Sequence, residues 1–252
     1  MVGQFSMPIY IMENLFEITS CEKQISIITK ALLKIATNSA VKAEIPEIDH
    51  YVKNLKSALK KGGIPTLERA LLNLYIRLHG AGSTYSPQER EILTKRKGYS
   101  CYPGGLSPLI KAGQFIKPDS IVADLGAGNG LQGLLLQCIC PHQKTIQIEL
   151  SSEMIRVGRL FQQALGFSAE RVEWIHDDIV NVSIEAADFI YVYLPAKPLD
   201  GGKEIYEAIA HKVSTMKRPL VIFSVADCLA KFIDSRFSVS YTDGHLTCFV
   251  NE

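Results

Sequence analysis

The chain has 252 residues, 47% of them hydrophobic and 21% charged, with a net charge of +1 at neutral pH. That length allows one large domain or a domain with a smaller appendage, and the composition is that of an ordinary globular protein. It excludes an acidic solvated tail, shows no basic excess of the kind that marks a nucleic-acid binder, and contains no apolar run of the ~18–20 residues that span a bilayer.

The stretch from Met1 to Ser20 carries Glu13 and Glu17, lacks a basic leader and makes a poor export signal. The six cysteines, Cys21, Cys101, Cys138, Cys140, Cys228 and Cys248, form no CxxC pair. Unpaired thiols in a chain this long suit a reducing, cytoplasmic setting. Cys138 and Cys140, with His142 behind them, read either as a metal clip or as small apolar residues at a helix end. No second ligand pair follows at zinc spacing, so no metal is predicted.

Residues 1–98 read as helical. Ile25, Ile28, Leu32, Leu33 and Ile35 recur at helical spacing until Ala43-Glu44-Ile45-Pro46 breaks the pattern. Ile48, Val52, Leu55 and Leu59 define a second helix, closed by Lys60-Lys61-Gly62-Gly63. Thr66 is expected to cap a third, whose apolar face runs from Leu67 to Leu78 and stops at Gly80. Ser86-Pro87-Gln88-Glu89 opens a fourth, because serine caps and proline suits the first helical position. This region reads as a cap, an interaction module or a homodimer interface. Residues 99–119 follow as a linker or lid, and Gly98 to Pro108 is rich in glycine, proline and tyrosine. A lid would place Tyr99 or Tyr102 against a ligand.

From residue 120 strands and helices alternate. Strands are expected at Ile121–Leu125, Thr145–Leu150, Val172–His176, Ala187–Leu194 and Pro219–Ser224, and helices at Leu131–Cys140, after the Ser151 cap, at Lys203–Lys212 and at Ala226–Phe232. Apolar, β-branched strands between helices imply a parallel sheet covered on both faces. The end differs: Arg236–Tyr241 and His245–Val250 flank Thr242-Asp243-Gly244, a strong hairpin signal. The predicted fold class is therefore α/β, a Rossmann-like doubly wound seven-stranded sheet, mostly parallel with an antiparallel C-terminal hairpin strand, in residues 120–252, plus the N-terminal all-helical region.

The centre of that pattern is Asp124-Leu125-Gly126-Ala127-Gly128-Asn129-Gly130-Leu131, a strand running into a glycine-rich turn and a helix start. Glycines admit a ligand close to the backbone, and a helix N-terminus attracts negative groups. Glu149 ends the second strand about 20 residues later, where a carboxylate can accept both hydroxyls of a ribose. Asp177 ends the third, where an acid can take the amine of an adenine. In open α/β sheets ligands bind at that edge.

These residues resemble the class I S-adenosylmethionine-dependent methyltransferases. Asp124 to Gly130 resembles the family's first motif, Asp/Glu-x-Gly-x-Gly-x-Gly; Glu149 and Asp177 match its ribose and adenine acids; Asp188 to Pro195 occupies the place of its fourth motif. The likeness covers roughly residues 107–252. It implies S-adenosyl-L-methionine as cofactor, held by Asp124, Gly126, Ala127, Gly128, Asn129, Gly130, Glu149, Leu150, Asp177 and Tyr193, with Ala127 and Asn129 lining the pocket floor and Ile175 and His176 beside the adenine. A nicotinamide-dependent dehydrogenase is the nearest rival, but its G-x-G-x-x-G is absent, since Leu131 stands where the last glycine belongs.

The resemblance implies methyl transfer by in-line displacement. Tyr193-Leu194-Pro195-Ala196 departs from the Asn/Asp-Pro-Pro-Tyr of amino-methylating nucleic-acid enzymes, and no acid stands where the metal-dependent type has one. Cys228 follows strand five in a context that reads as core rather than nucleophile. A protein side chain or a small molecule is thus the expected acceptor, with nucleic acid disfavoured. Tyr193, Asp178 and Tyr99 are the candidates for orienting or deprotonating it. Tyr193 and Pro195 are expected on the acceptor side and Tyr191 pointing away. A non-catalytic cofactor-binding or interaction protein on the same fold is the alternative.

Overall fold

The computed structural model describes residues 18–251 apart from 103 and 227. Of the stretch from Met1 to Ser20 read as a poor export signal, residues 1–17 lie outside the described residues, as do Pro103 in the tyrosine-rich stretch and Asp227 in the stretch after strand five.

The strands are β1 (Ile121–Leu125), β2 (Lys144–Glu149), β3 (Val172–His176), β4 (Phe189–Tyr193), β5 (Leu220–Val225), β6 (Ser238–Thr242) and β7 (Leu246–Asn251). They form one seven-stranded sheet in the order β3-β2-β1-β4-β5-β7-β6. The pairs among β1 to β5 are parallel, and β7 runs antiparallel to both β5 and β6. This is the doubly wound sheet with a reversed end implied by the strand pattern and the Asp243-Gly244 turn. Gly244 has a φ of 82°, the left-handed conformation that such a hairpin turn requires. The chain builds outward from β1 to β3 and returns to place β4 against the other side of β1. The crevice at that reversal is where such sheets bind ligands.

Side chains alternate across the sheet and separate two apolar cores. Ala123, Leu125, Ile190, Val192 and Ile222 face α9 (Lys203–Thr215) and its neighbours. Val122, Phe189, Tyr191 and Phe223 face the other way, onto α7 (Leu131–Ile139) and α8 (Ser152–Leu165). N-terminal helices form a further layer on that second face: α1 (Ile18–Thr37), α2 (Ser39–Glu44), α3 (Ile48–Lys61), α4 (Ile64–His79) and α6 (Ser107–Ala112), while α5 (Pro87–Lys95) lies at the cleft. Ile28, Leu32 and Ile35 of α1 are wholly buried in one cluster with Leu131, Leu135 and Phe161. The apolar stripe read from sequence thus covers α7 and α8 of its own chain.

Several local expectations are corrected. Thr66 does not cap α4; the helix opens at Ile64 with Gly63 before it and Pro65 in its first turn, where a fixed φ is favourable. The stretch 99–119 contains α6, whose Leu109 and Ala112 are fully buried. Among the described residues of 226–232 there is no helix: Ala226 turns to a φ of 69° directly after β5, and residues 229–232 form bends and turns. Cys228 packs, partly buried, on the α9-side core. Tyr191 does not point away from Tyr193. Residues two apart on a strand share a face, and both side chains lie on the α7 side of the sheet, Tyr191 with no exposure at all. The Ser86 prediction holds in full, since Ser86 and Glu89 make a reciprocal capping box. Among the described residues no helix is long and apolar enough to cross a membrane.

Candidate active site

The turn after β1 alternates between ordinary and left-handed backbone, with φ of 77° at Gly126, 61° at Gly128 and 65° at Gly130. Side chains at those positions would be strained. At Gly126 a Cβ would also stand 3.1 Å from Pro195 Cβ, so the exits of β1 and β4 nearly touch. The amides of this turn are used internally. Gly126 and Ala127 N–H both donate to the Ile148 carbonyl at 3.0 Å, and Gly130 N–H donates to Ala127 at 2.9 Å. Gly128 N–H donates to Glu149 Oε2 at 2.8 Å. A pyrophosphate cradle needs such amides aimed at the ligand, so this turn is a floor for a ligand rather than an anion nest.

Two buried acids stand beside it. Glu149 is 6% exposed, and its second oxygen accepts from Ser151 N–H at 2.8 Å. Burial pushes its carboxyl up, against the pull of the amides of Ser151, Gly128 and Leu150. Asp124 is 3% exposed, and its Oδ2 has no hydrogen-bond partner among the described residues. Burial, and then the neighbouring Glu149 charge, raise its carboxyl to about 7, with the Gly133 amide working against them. A buried acceptor left unpaired in this way is stabilised by a ligand that donates to it, above all a cationic one.

The structure brings most of the residues singled out in the sequence to one cleft. Asp124, Gly126, Ala127, Gly128, Glu149, Leu150, Asp177, Asp178, Tyr193 and Tyr99 all line it. Asn129 and Gly130 do not. Asn129 turns away from the floor, and its Nδ2 donates to the carbonyls of Leu78, His79 and Ala81 at 2.8, 3.1 and 3.0 Å. Gly130 is where Trp174 crosses; a Cβ would strike its ring. Asp177 is exposed, and its Oδ1 accepts from Asp178 N–H and Asn181 Nδ2 at 2.7 and 3.0 Å. Asp178 is engaged elsewhere: Arg96 Nε donates to its Oδ2 at 3.0 Å and Val180 N–H to its Oδ1 at 3.1 Å. Arg96 also pairs with Glu204. His176 reaches the Leu150 carbonyl at 2.9 Å and Glu89 at 3.3 Å, outside the cleft lining.

The tyrosine-rich stretch closes the other side. Tyr99 N–H donates to the Pro195 carbonyl and Lys197 N–H to the Lys97 carbonyl, both at 3.1 Å, so the segment is stitched antiparallel to the exit of β4. Ring centroids lie 5.8 Å apart for Tyr99 and Tyr102, and 6.1 Å for Tyr102 and Tyr193, within the range of aromatic pairing. Burial raises the Tyr193 hydroxyl to about 12, so it is neutral near pH 7 and can donate but not act as a base.

The wall opposite the acids was not legible in the sequence. His79, Tyr85, Ile92, Leu93 and Arg96, all from the N-terminal helical region, line the cleft. Tyr85 donates to the Ser100 carbonyl at 2.9 Å, and Cys101 Sγ lies 3.5 Å from His79 Nδ1. Burial depresses His79 to about 4, leaving it neutral. No local pattern distinguishes these side chains from core residues; only the docking of α4 and α5 aims them here. Outside the cleft, His142 holds the Cys140 carbonyl and Thr145 Oγ1, both at 2.7 Å, through its two nitrogens.

The sequence matches no protein-family model and no curated protein. Solved structures resemble the chain at low identity. TrmN from Thermus thermophilus is 16% identical, over 66% of this chain and 53% of that one, with a TM-score of 0.47. An RNA methyltransferase from Salinibacter ruber, in complex with S-adenosyl-L-homocysteine, is 16% identical over 60% of this chain and 92% of that one, with a TM-score of 0.45. The YcgJ protein from Bacillus subtilis is 18% identical over 48% and 51%, with a TM-score of 0.40. The chain spans about half the length of YcgJ and of TrmN.

Proposed function

We propose that the protein is a metal-independent S-adenosylmethionine-dependent methyltransferase acting on a protein side chain or a small molecule. The observation that carries the proposal is the buried, unpartnered Asp124 Oδ2 on the floor of a cleft that also presents Glu149 at the switch point of the sheet. The cofactor's α-ammonium would donate to Asp124, its ribose hydroxyls to the lone pairs that Glu149 keeps free, and its adenine amine to Asp177. Its methionine part would lie on Gly126 to Gly128. The internal use of the Gly126, Ala127, Gly128 and Gly130 amides speaks against a dinucleotide, whose pyrophosphate draws on amides of such a turn.

The cofactor supplies an electrophilic sulfonium methyl group; the chain supplies binding, alignment and exclusion of water. Tyr99, Tyr102 and Tyr193 would wall the acceptor side, with Tyr193 donating a hydrogen bond to orient the acceptor atom. Asp178, held by Arg96, would anchor the wall and leave the chemistry to its neighbours.

Isothermal titration with S-adenosylhomocysteine tests the cofactor assignment, and no binding at high micromolar ligand would overturn it. Incubation with labelled S-adenosylmethionine and lysate, separated into protein, RNA and small-molecule fractions, tests the acceptor. Label is expected in the protein or small-molecule fraction. Label in RNA alone would overturn the acceptor class, and binding without transfer would favour a non-catalytic role.

A further inference from the structure

On the α7 face of the sheet, Gln147, Asp124 and Tyr191 are register neighbours on β2, β1 and β4. All three are buried, and Gln147 Oε1, Asp124 Oδ2 and the Tyr191 hydroxyl each lack a hydrogen-bond partner among the described residues. Three adjacent orphans in one row are not what a settled core contains; buried polar atoms are nearly always satisfied, often by an ordered water with several partners. Gln147 is held off the Asp124 side by its amide, which donates to the Gly130 carbonyl at 3.1 Å. Of the three orphaned atoms, the Tyr191 hydroxyl is the one that can donate. Above it stands a second buried tyrosine, Tyr75 of α4, whose oxygen accepts from Gln132 Nε2 at 3.1 Å and whose own proton remains to be donated. The Tyr191 hydroxyl feels both Tyr75 and Asp124 electrostatically, so two hydroxyl donors and one carboxylate acceptor share one buried region on this face of the sheet.

We infer that Tyr191 and Tyr75 are cofactor-positioning residues: their hydroxyls hold one buried water against Asp124 Oδ2, and this bridge favours the charged form of the carboxyl that the cofactor's ammonium meets. The inference rests on the cofactor reading above. Without the bridge, the groups facing Asp124 all oppose its charge or leave it alone. Glu149 on β2 repels it; Asp177 beyond β3 is a further anion of the cleft; His79 on α4, Cys101 on the strap and Tyr193 on β4 are neutral near pH 7. The Gly133 amide on α7 is the remaining aid. A water fixed by two hydroxyls supplies the hydrogen bond that favours the charged form.

The test is Tyr191→Phe in the full chain, which keeps the ring and removes only the hydroxyl. In the unliganded protein, the titration midpoint of Asp124, followed by carboxyl carbon NMR, is expected to rise by about one pH unit. With S-adenosylhomocysteine as probe, affinity at pH 7 is expected to fall about fivefold, and the gap to close to under twofold by pH 8.5. Thermal stability supplies a further readout: a hydroxyl that truly has no partner is removed at no cost, whereas loss of a bridging one lowers the melting temperature. An unmoved Asp124 midpoint with unchanged or raised melting temperature overturns the bridge. A moved midpoint in a protein that binds no S-adenosylhomocysteine at any pH overturns the cofactor reading and leaves the bridge standing.

Discussion

Asn129 and Leu78 lie 51 residues apart in sequence and 2.8 Å apart in space, joined by a hydrogen bond from Asn129 Nδ2 to the Leu78 carbonyl. The same amide serves His79 and Ala81, so one side chain in the glycine-rich turn binds three carbonyls at and just beyond the end of α4. Helix ends leave such carbonyls without partners inside the helix. The cleft floor and the N-terminal wall are thereby one unit.

Asn129→Ala should break that unit. Losing these buried hydrogen bonds is expected to cost about 1–3 kcal/mol of stability, and affinity for S-adenosylhomocysteine should fall with it, because His79 and Tyr85 lose their anchor. Chemical denaturation and titration calorimetry measure both. Wild-type affinity in a folded variant would show that the wall is indifferent to Asn129.

Asp124→Asn separates stability from binding. The native carboxyl titrates near 7, above its ordinary 3.8. A carboxyl raised on folding contributes stability that is full below the unfolded value and is lost as pH climbs through the folded one. The unliganded wild type should therefore lose stability from about pH 4 to 7, and the asparagine variant should lose less. At pH 8 the variant should be the more stable protein without ligand, yet bind S-adenosylhomocysteine about tenfold or more weakly. Denaturant midpoints across pH 4–8 decide this; parallel pH profiles for the two proteins would contradict it.

Asp178→Asn distinguishes an anchor from a base. Asp178 and Arg96 side chains are 11% and 15% exposed, and Glu204 stays available to Arg96. Loss of one partner in a mostly buried pair should cost about 1–3 kcal/mol. Transfer should fall by about tenfold or less, with cofactor affinity nearly unchanged. Abolished turnover in a stably folded variant would make Asp178 part of the chemistry.

Gly104→Ala probes the aromatic wall. A Cβ on Gly104 would run into the ring of Tyr193, which is held between the sheet and the strap. The strap or the ring must move, so turnover should drop while S-adenosylhomocysteine binding, which is proposed to rest on Asp124, Glu149, Asp177 and the glycine floor, persists. Kinetics with the identified acceptor should show the loss; equal turnover would mean that the wall does not touch the acceptor.

Glu89 ties the two halves together in an acid-sensitive way. It caps α5 through Ser86 and also accepts from Ser152 N–H, at the start of α8, at 2.8 Å. Burial works to raise its carboxyl, but the amides and hydroxyls of Ser152 and Ser86 win and hold it near 2. A carboxyl lowered on folding stabilises above its unfolded value and stops doing so as pH falls through the folded one. Glu89→Gln should cost stability at pH 7 and lose that difference between about pH 4.5 and 2; urea midpoints at the two ends of that window check it.

What the sequence determined by itself was local and periodic. Alternation and β-branching marked the strands, Asp243-Gly244 the hairpin, Ser86 with Glu89 the cap, and the glycines with Glu149 and Asp177 the edge where the cleft opens. Each is a short-range steric or hydrogen-bond preference that neighbouring residues express without help. Tertiary structure alone decided the rest. It turned Asn129 from the floor to the end of α4, took Asp178 into an ion pair with Arg96 from 82 residues away, and set Tyr191 beside Asp124 across two strands. It also supplied one wall of the cleft from N-terminal residues with no chemical signature. Those roles depend on contacts between elements distant in the chain, and a side chain's burial, pairing and charge are set by what packs against it rather than by its neighbours in sequence.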